Sequence, residues 1–185
     1  DLTQQGHAPR LDPPQRFAGD ASMQIDPATR RSLEMFRTQS GERKGALLHA
    51  IDRTSTSAGA RLLAGWLAAP LTDPTAIADR QDAVQHFLEA PILRGDVRDT
   101  LGQAPDLARA LSRIALDRGG PRDLAATAKA LACAETSRAQ LEAKNSLAAT
   151  PALLQTACAR LTGHDTLSDT LRQALAEDLP LLARD

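Results

Sequence analysis

Apolar residues recur along most of the chain at spacings of three and four, the period expected of an α-helix with one buried face. One such stripe is formed by Leu62, Leu63 and Trp66. The most regular stripe has strict intervals of four, at Leu167, Leu171, Leu175 and Leu179. These patterns predict an all-α protein, an irregular multi-helix bundle with short turns and space for one short strand near the N-terminus.

Capping residues indicate where several helices begin. Three pairs place a capping side chain before a proline at the first helical position: Asp26 and Pro27, Asp73 and Pro74, Thr150 and Pro151. The side-chain oxygen of such a cap accepts from a free N–H of the first turn, and proline lacks the N–H that would be unpaired there. Pro91 is interpreted as the end of the helix that opens at Asp73, and the next helical pattern begins at Leu107.

Composition supports the helical prediction. The hydrophobic share is 42%, yet aromatic residues make up only 2% of the 185 residues, so the core is built mainly from Leu and Ala, which favour helices. The length allows one ordinary domain. Two cysteines, Cys133 and Cys158, are too few for a disulfide framework, and their spacing is not that of metal ligands. We expect them to act as small buried apolar residues.

Charge is nearly balanced overall but unevenly spread. The net charge is -1, whereas residues 30–61 contain seven basic and three acidic residues. A near-neutral chain is unlike an autonomous DNA-binding domain, because affinity for nucleic acid comes mainly from neutralised phosphates. We therefore expect at most a weak DNA contact that moderate salt abolishes, through Arg30, Arg31, Arg37, Arg43 and Lys44.

One short stretch combines residue types used in catalysis. His49, Asp52 and Ser55 could supply the base, acid and nucleophile of a hydrolase. On a helix, side chains at successive spacings of three point in different directions around the axis, so these three seldom converge on one site. The sequence also contains no nucleophile-elbow motif. The four dispersed histidines form no metal motif, and no phosphate-binding loop is found. We expect no catalytic, cofactor-binding or metal-binding residue in this chain.

A structural interpretation accounts for the same stretch. Hydroxyls from Thr54 to Ser57 can cap the helix that follows, Gly59 permits close approach, and Arg61 can pair with an acid or extend along an apolar face. No apolar run approaches the length of a membrane span, and the first residues contain no apolar signal core, so a cytoplasmic location is expected.

Residues 51–71 resemble a segment of the MutS family of DNA mismatch-repair proteins, whose pattern is Leu-Asp-x-Thr-x-Thr-x-x-Gly-x-Arg-x-Leu followed by Trp-Leu and Pro-Leu. The matching positions here are Asp52, Thr54, Thr56, Gly59, Arg61, Leu63, Trp66, Leu67, Pro70 and Leu71. Flanking segments around Asp26, Ile77 and Asp106 are also similar to the family. Two departures are Ile51 in place of Leu and Ala108 where the family commonly has Glu.

The resemblance implies a place within a much longer protein. Residues 1–22 would be an extended linker from a preceding domain, and residues 23–185 the helical core, domain III, running into the start of the lever helices. In the family these levers join a C-terminal ATPase to a DNA clamp. In the family the mismatch-inserting Phe-x-Glu motif belongs to an N-terminal domain, and no Walker A loop occurs in this chain, so its residues would transmit rather than recognise or hydrolyse.

The resemblance also implies partners and residue roles. The whole protein would use ATP and Mg²⁺ and act on mismatched duplex DNA with a second copy of itself and other mismatch-repair proteins, in the bacterial cytosol or nucleoid. The expected structural residues are Asp52, Thr54, Thr56, Gly59, Arg61, Trp66 and Pro70. We expect Trp66 to fill a junction between helices, so that Trp66→Ala costs about 3 to 5 kcal/mol. The alternative function is a stand-alone helical protein-interaction domain.

Overall fold

The computed structural model describes residues 22–144 and 150–175, and these residues form nine α-helices. The helices are α1 (Pro27–Ser32), α2 (Leu47–Ile51), α3 (Ser57–Ala68), α4 (Pro74–Glu89), α5 (Pro91–Gln103), α6 (Leu107–Ala115), α7 (Pro121–Lys144), α8 (Ala152–Arg160) and α9 (Asp165–Ala174). The predicted all-α class is confirmed. Nearly all of the predicted linker, together with Leu179 of the last stripe, lies outside the described residues.

The 24-residue helix α7 is the element on which the others are arranged. At a rise of 1.5 Å per residue it is about 36 Å long. Helices α5, α6 and α9 pack against it, and α4 packs against α5 and α8. Since α5 and α6 share one long partner, they are held together as one unit.

The apolar core lies where α5 meets α7. Leu93 and Val97 of α5 are buried with Leu141 of α7, and half-buried Phe87 and Cys158 pack against them. Burial is also the main cause that raises the pKa of the Cys158 thiol. Both cysteines are free and half-buried, so they pack as apolar residues without a disulfide.

Helix α5 was not predicted from the sequence. Helix α4 ends at Glu89, close to Pro91 as predicted, but Pro91 is also the first residue of α5, a position that proline favours. Ala90 is at once the C-terminal cap of α4 and the N-terminal cap of α5. The sequence interpretation therefore missed the helix that supplies Leu93, the most buried large apolar residue in the described part of the core.

Small residues take the buried positions of α4 and α9, which in α9 differs from the predicted leucine stripe. In α4 the small Ala83 is buried, whereas Val84 and Leu88 are exposed. In α9 Ser168 is buried and its neighbour Leu167 is exposed. Close helix packing selects small side chains at the contact, and a pattern based on large apolar residues overlooks them.

Two of the three predicted caps are confirmed. The Asp26 carboxylate accepts from the backbone N–H groups of Ala28 and Thr29, and Asp73 accepts from Thr75. The third is wrong, because α8 begins at Ala152 and no side chain caps it.

The short strand for which the sequence left space near the N-terminus does not occur among the described residues. They contain instead a single antiparallel bridge between Ser22 and Leu71. Beside it, the Met23 N–H donates to the Pro70 carbonyl at 2.7 Å. One bridge joins the start of the described chain to the end of the motif segment, but it extends into no strand.

The core at α5 makes a sharp prediction about two adjacent residues. Leu93 is 2% exposed and Ile92 is 72% exposed. We expect Leu93→Ala to lower the free energy of unfolding by about 2–5 kcal/mol, because it opens a cavity. The matched control Ile92→Ala should change it by less than about 0.5 kcal/mol. Urea unfolding followed by circular dichroism measures both, and equal losses would place the core elsewhere.

Candidate functional site

The loop before α3 is organised by the side chains of Asp52 and Thr56. Asp52 Oδ1 accepts from the Thr54 hydroxyl at 2.7 Å and from the Thr54 N–H at 2.9 Å. These hydrogen bonds, with that of the hydroxyl the largest, lower the pKa of Asp52. Thr56 Oγ1 accepts from the Gly59 N–H at 2.9 Å and caps α3. The hydroxyl-rich stretch thus turns the chain and caps the helix, as predicted.

The start of α3 is fastened to α6 by the carboxylate of Asp106. Arg61 Nη1 and Nη2 donate to the two oxygens of Asp106 at 2.8 and 2.9 Å. Ser57 Oγ donates to the same carboxylate at 2.9 Å. Asp106 also caps α6, accepting from the Arg109 N–H at 3.3 Å. One carboxylate therefore joins the N-termini of two helices, where negative charge is favourable.

This arrangement perturbs the charge equilibrium of the carboxylate. The Arg61 guanidinium, followed by the Ser57 hydroxyl, holds the pKa of Asp106 well below its usual range. The hydrogen bonds that Arg61 donates to Asp106 raise the pKa of Arg61 in turn. The Asp106 side chain is 21% exposed and that of Arg61 is 55% exposed. The pair is accordingly held by bidentate geometry at the surface rather than by burial.

The far end of α3 is held by another arginine. Arg30 Nη2 donates to the Ala68 carbonyl at 2.8 Å, and Arg30 Nε donates to the Ile25 carbonyl at 2.9 Å. A cation at a helix C-terminus satisfies free carbonyls and complements the helix dipole. Arg30, one of the candidate DNA contacts, is thus engaged in holding α1 to α3.

Trp66 does not fill a buried junction, which corrects the sequence expectation. Trp66 is 38% exposed. The Arg80 guanidinium lies over the indole ring, with its central carbon 3.8 Å from the ring centre. Stacking of this kind at an exposed site contributes about 0.5–1 kcal/mol. The larger cost expected for Trp66→Ala assumed full burial and does not apply.

No residue of helix α3 is buried. It belongs to none of the most extensively packed helix pairs of the described residues. Its position is set by polar contacts instead: the Asp106 carboxylate at one end, Arg30 at the other and Arg80 over Trp66 between them. The position of such a helix depends more on the direction and charge of its hydrogen bonds than on the apolar area that it buries.

The remaining basic candidates are all exposed. Arg37 Nη1 donates to the Gly41 carbonyl at 2.8 Å. Arg37 and Arg43 line one cleft, whereas Arg31 and Lys44 are exposed outside it. A weak DNA contact by these residues stays a prediction.

The hydrolase interpretation finds no support in the geometry. Asp52 is engaged by Thr54, and within the described residues it makes no hydrogen bond to His49 or Ser55. In the same part of the chain no cluster of His, Cys, Asp and Glu could hold a metal ion. Nor does any helix of residues 22–144 and 150–175 have the length and apolarity needed to cross a membrane.

Comparison with known proteins agrees with the motif and the helical architecture around it. The family model for MutS domain III matches residues 28–185. The chain belongs to the MutS domain III family. Over its whole length it is 53% identical to the DNA mismatch repair protein MutS of Rhodopseudomonas palustris strain BisA53 and 49% identical to those of Paracoccus denitrificans and Nitrobacter hamburgensis. It spans about a fifth of the length of each of these relatives.

Asp106 is the residue of this MutS domain III site that sequence reasoning missed. It lies 45 residues from Arg61, so no local pattern pairs them. The available signal was an Asp directly before a helical run, which is typical of a cap. Ala108, at the position where the family pattern has Glu, is exposed, and the ion pair with Arg61 is made by Asp106.

Gly59 and Gly65 on α3 offer a matched test of the cap. A Cβ at Gly59 would lie 3.0 Å from Thr56 Oγ1, whereas a Cβ at Gly65 would meet nothing within 4 Å. We expect Gly65→Ala to raise the free energy of unfolding by about 0.5–1 kcal/mol through helix propensity. The free energy of unfolding of Gly59→Ala should be about 1 kcal/mol lower than that of Gly65→Ala, because the added Cβ displaces the capping hydroxyl of Thr56. Equal effects in urea unfolding would show that Gly59 is not needed for the cap.

The depressed pKa of Asp106 predicts a pH dependence of stability. The contribution of Asp106 is fully present above its ordinary pKa of 3.8 and is lost as the pH falls through the lower pKa of the folded state. We expect the stabilities of the unsubstituted chain and Asp106→Asn to converge as the pH falls from about 5 towards the lower pKa of the folded state, where the two chains differ by up to about one in the number of protons taken up on unfolding.

The control for this experiment is Asp79→Asn, which removes an exposed aspartate of α4 that makes no ion pair within the described residues. Its stability curve should run parallel to that of the unsubstituted chain. A parallel curve for Asp106→Asn would mean that the carboxylate has no special role in the folded state.

Proposed function

We propose that this chain is the structural core of a longer DNA mismatch-repair protein and couples an ATPase to a DNA clamp in that protein. The observation that carries the proposal is the fastening of the exposed helix α3 by Asp106 and Arg30. A helix that is held by directional bonds at its ends has discrete attached and detached arrangements. Coupling between distant sites requires elements of that kind.

The contacts of the motif loop connect α3 to two further helices. Arg98 of α5 donates from Nη1 to the Arg53 carbonyl at 2.9 Å, and Asp106 lies at the start of α6. Both α5 and α6 pack against α7. A displacement of α3 therefore either moves this packed group or breaks identified hydrogen bonds.

Catalysis and DNA recognition are assigned to other parts of the whole protein. ATP and Mg²⁺ would be bound by its ATPase, while mismatched duplex DNA, a second copy of the chain and other mismatch-repair proteins would be its partners. The proposed setting is the bacterial cytosol or nucleoid. A stand-alone interaction domain is the less supported alternative, since relatives matched over this whole chain are mismatch-repair proteins.

The test uses the full-length protein with Asp106→Asn. We measure the ATP hydrolysis rate with mismatched and with fully paired duplex, and separately the affinity for each duplex. Substitutions in a coupling network change the coupling by about 0.5–2 kcal/mol. We therefore expect the mismatch-dependent change in hydrolysis to fall roughly two- to thirtyfold. Hydrolysis without DNA and duplex affinity should stay within about twofold, because the site binds neither ligand.

The matched control is Asp123→Asn, which breaks the ion pair between Arg113 and Asp123 at the turn between α6 and α7. That pair lies within the packed group and does not fasten α3. The control should leave the mismatch response unchanged. An unaltered response in Asp106→Asn would rule out coupling through this carboxylate.

A further inference from the structure

A cleft of about 790 Å³ lies between the 36–53 segment and α3. Its volume falls in the range of about 300–1,000 Å³ that is typical of ligand sites. The lining has an apolar part, which includes half-buried Phe36 and Leu48 and the alanines Ala60 and Ala64 of α3. The structural interpretation of the motif assigns this cleft no role.

The rest of the lining is strongly basic. Four guanidinium groups border the cleft against one carboxylate, that of Asp52, and exposed His49 lies among them. The four are Arg37, Arg43, Arg53 and Arg61. Arg61 is paired with Asp106, and the other three arginines make no ion pair within the described residues. The cleft therefore attracts a ligand with negative charge.

The arginines are mounted on an ordered rim. Arg37 and Arg53 each donate once to a nearby carbonyl, those of Gly41 and Asp52. The rim turn is closed by the Thr38 N–H, which donates to the Glu42 carbonyl at 2.8 Å. Arg43 makes no side-chain hydrogen bond within the described residues and is exposed. The guanidinium groups of Arg37 and Arg53, which are held in this way, present further N–H donors without a large ordering cost.

The combination of an apolar lining and a basic rim selects the class of ligand. Duplex DNA offers phosphates on a convex surface and has no apolar group that could cover Phe36 and Leu48 inside a concave site. A peptide segment can place carboxylates on the rim and one apolar side chain in the cleft. Aspartate and glutamate also match the bidentate geometry of arginine.

We propose that this cleft, named here the arginine cleft, binds an acidic peptide segment with an apolar anchor side chain, supplied by another part of the longer polypeptide. The inference rests on the proposed function, which places the chain within such a polypeptide. The curated relatives matched here leave about four fifths of their length outside the matching region. Another segment of the same protein is therefore available at high effective concentration.

The experiment is photocrosslinking in the purified full-length protein. p-Benzoylphenylalanine replaces Ala50, which lines the cleft and is exposed, so that the fold is little disturbed. After irradiation without DNA, mass spectrometry identifies the crosslinked peptide. We expect a segment from outside this chain that is rich in Asp and Glu and contains a large apolar residue. The same probe in place of His49 provides a second position on the same lining.

Charge variants test the basis of recognition. Combined Arg43→Glu and Arg53→Glu should lower the crosslink yield about tenfold, because like charges then face each other. The matched control is Arg31→Glu, which makes one charge reversal of the same kind at an exposed arginine outside the cleft. It should leave the yield unchanged. Circular dichroism melting confirms that each variant is folded before irradiation.

Several outcomes overturn the proposal. They are a crosslink to a segment without acidic residues, the absence of any crosslink from both probe positions, and a yield that survives the double charge reversal. Crosslinking to duplex DNA, when DNA is added, in place of the peptide segment would assign the arginine cleft to nucleic acid. Each of these results is independent of the mismatch response of Asp106→Asn, so failure here leaves the coupling proposal standing.

Discussion

The carboxylate of Asp106 is the constraint on which the arrangement around the motif depends. It accepts hydrogen bonds from Ser57, Arg61 and the backbone of Arg109, so two helices begin at one shared negative charge. Helix α3 buries none of its residues, and apolar packing cannot replace this contact. Arg61 has a fixed position because both of its terminal nitrogens are engaged, and its helix is aligned along with it.

Two parts of the described molecule are therefore stabilised in different ways. Around α5 and α7, buried Leu93, Val97 and Leu141 resist opening, since any separation exposes apolar area. Around α3, a few charged hydrogen bonds resist opening, and salt weakens such contacts. The motif region therefore has a lower free energy of local opening than the core, as is common for elements that move in function.

The helical class, the cap at Asp73 and the turn at Thr54 to Ser57 could be predicted because each depends on neighbours within a few residues. Other features depend on distant parts of the chain. Pro91 can end a helix or start one, and the choice follows from the packing of Leu93 and Val97 on α7. The aromatic character of Trp66 indicated burial, yet Arg80 covers its ring at the surface. Likewise, nothing local shows that Arg30 reaches a carbonyl 38 residues away.

The joint between α4 and α5 has a mechanical consequence. Ala90 is the only residue between the two helices and serves as the cap of both, with Pro91 fixing the first φ angle of α5. A connection of one residue has almost no slack, so α4 cannot twist about its own axis without turning α5. The α4–α5 connection is therefore rigid. Torque applied to α4 is transmitted to the long helix α7 through the side chains of α5 that pack against it. A longer, glycine-rich loop at this place would absorb that torque and leave the two arms mechanically independent.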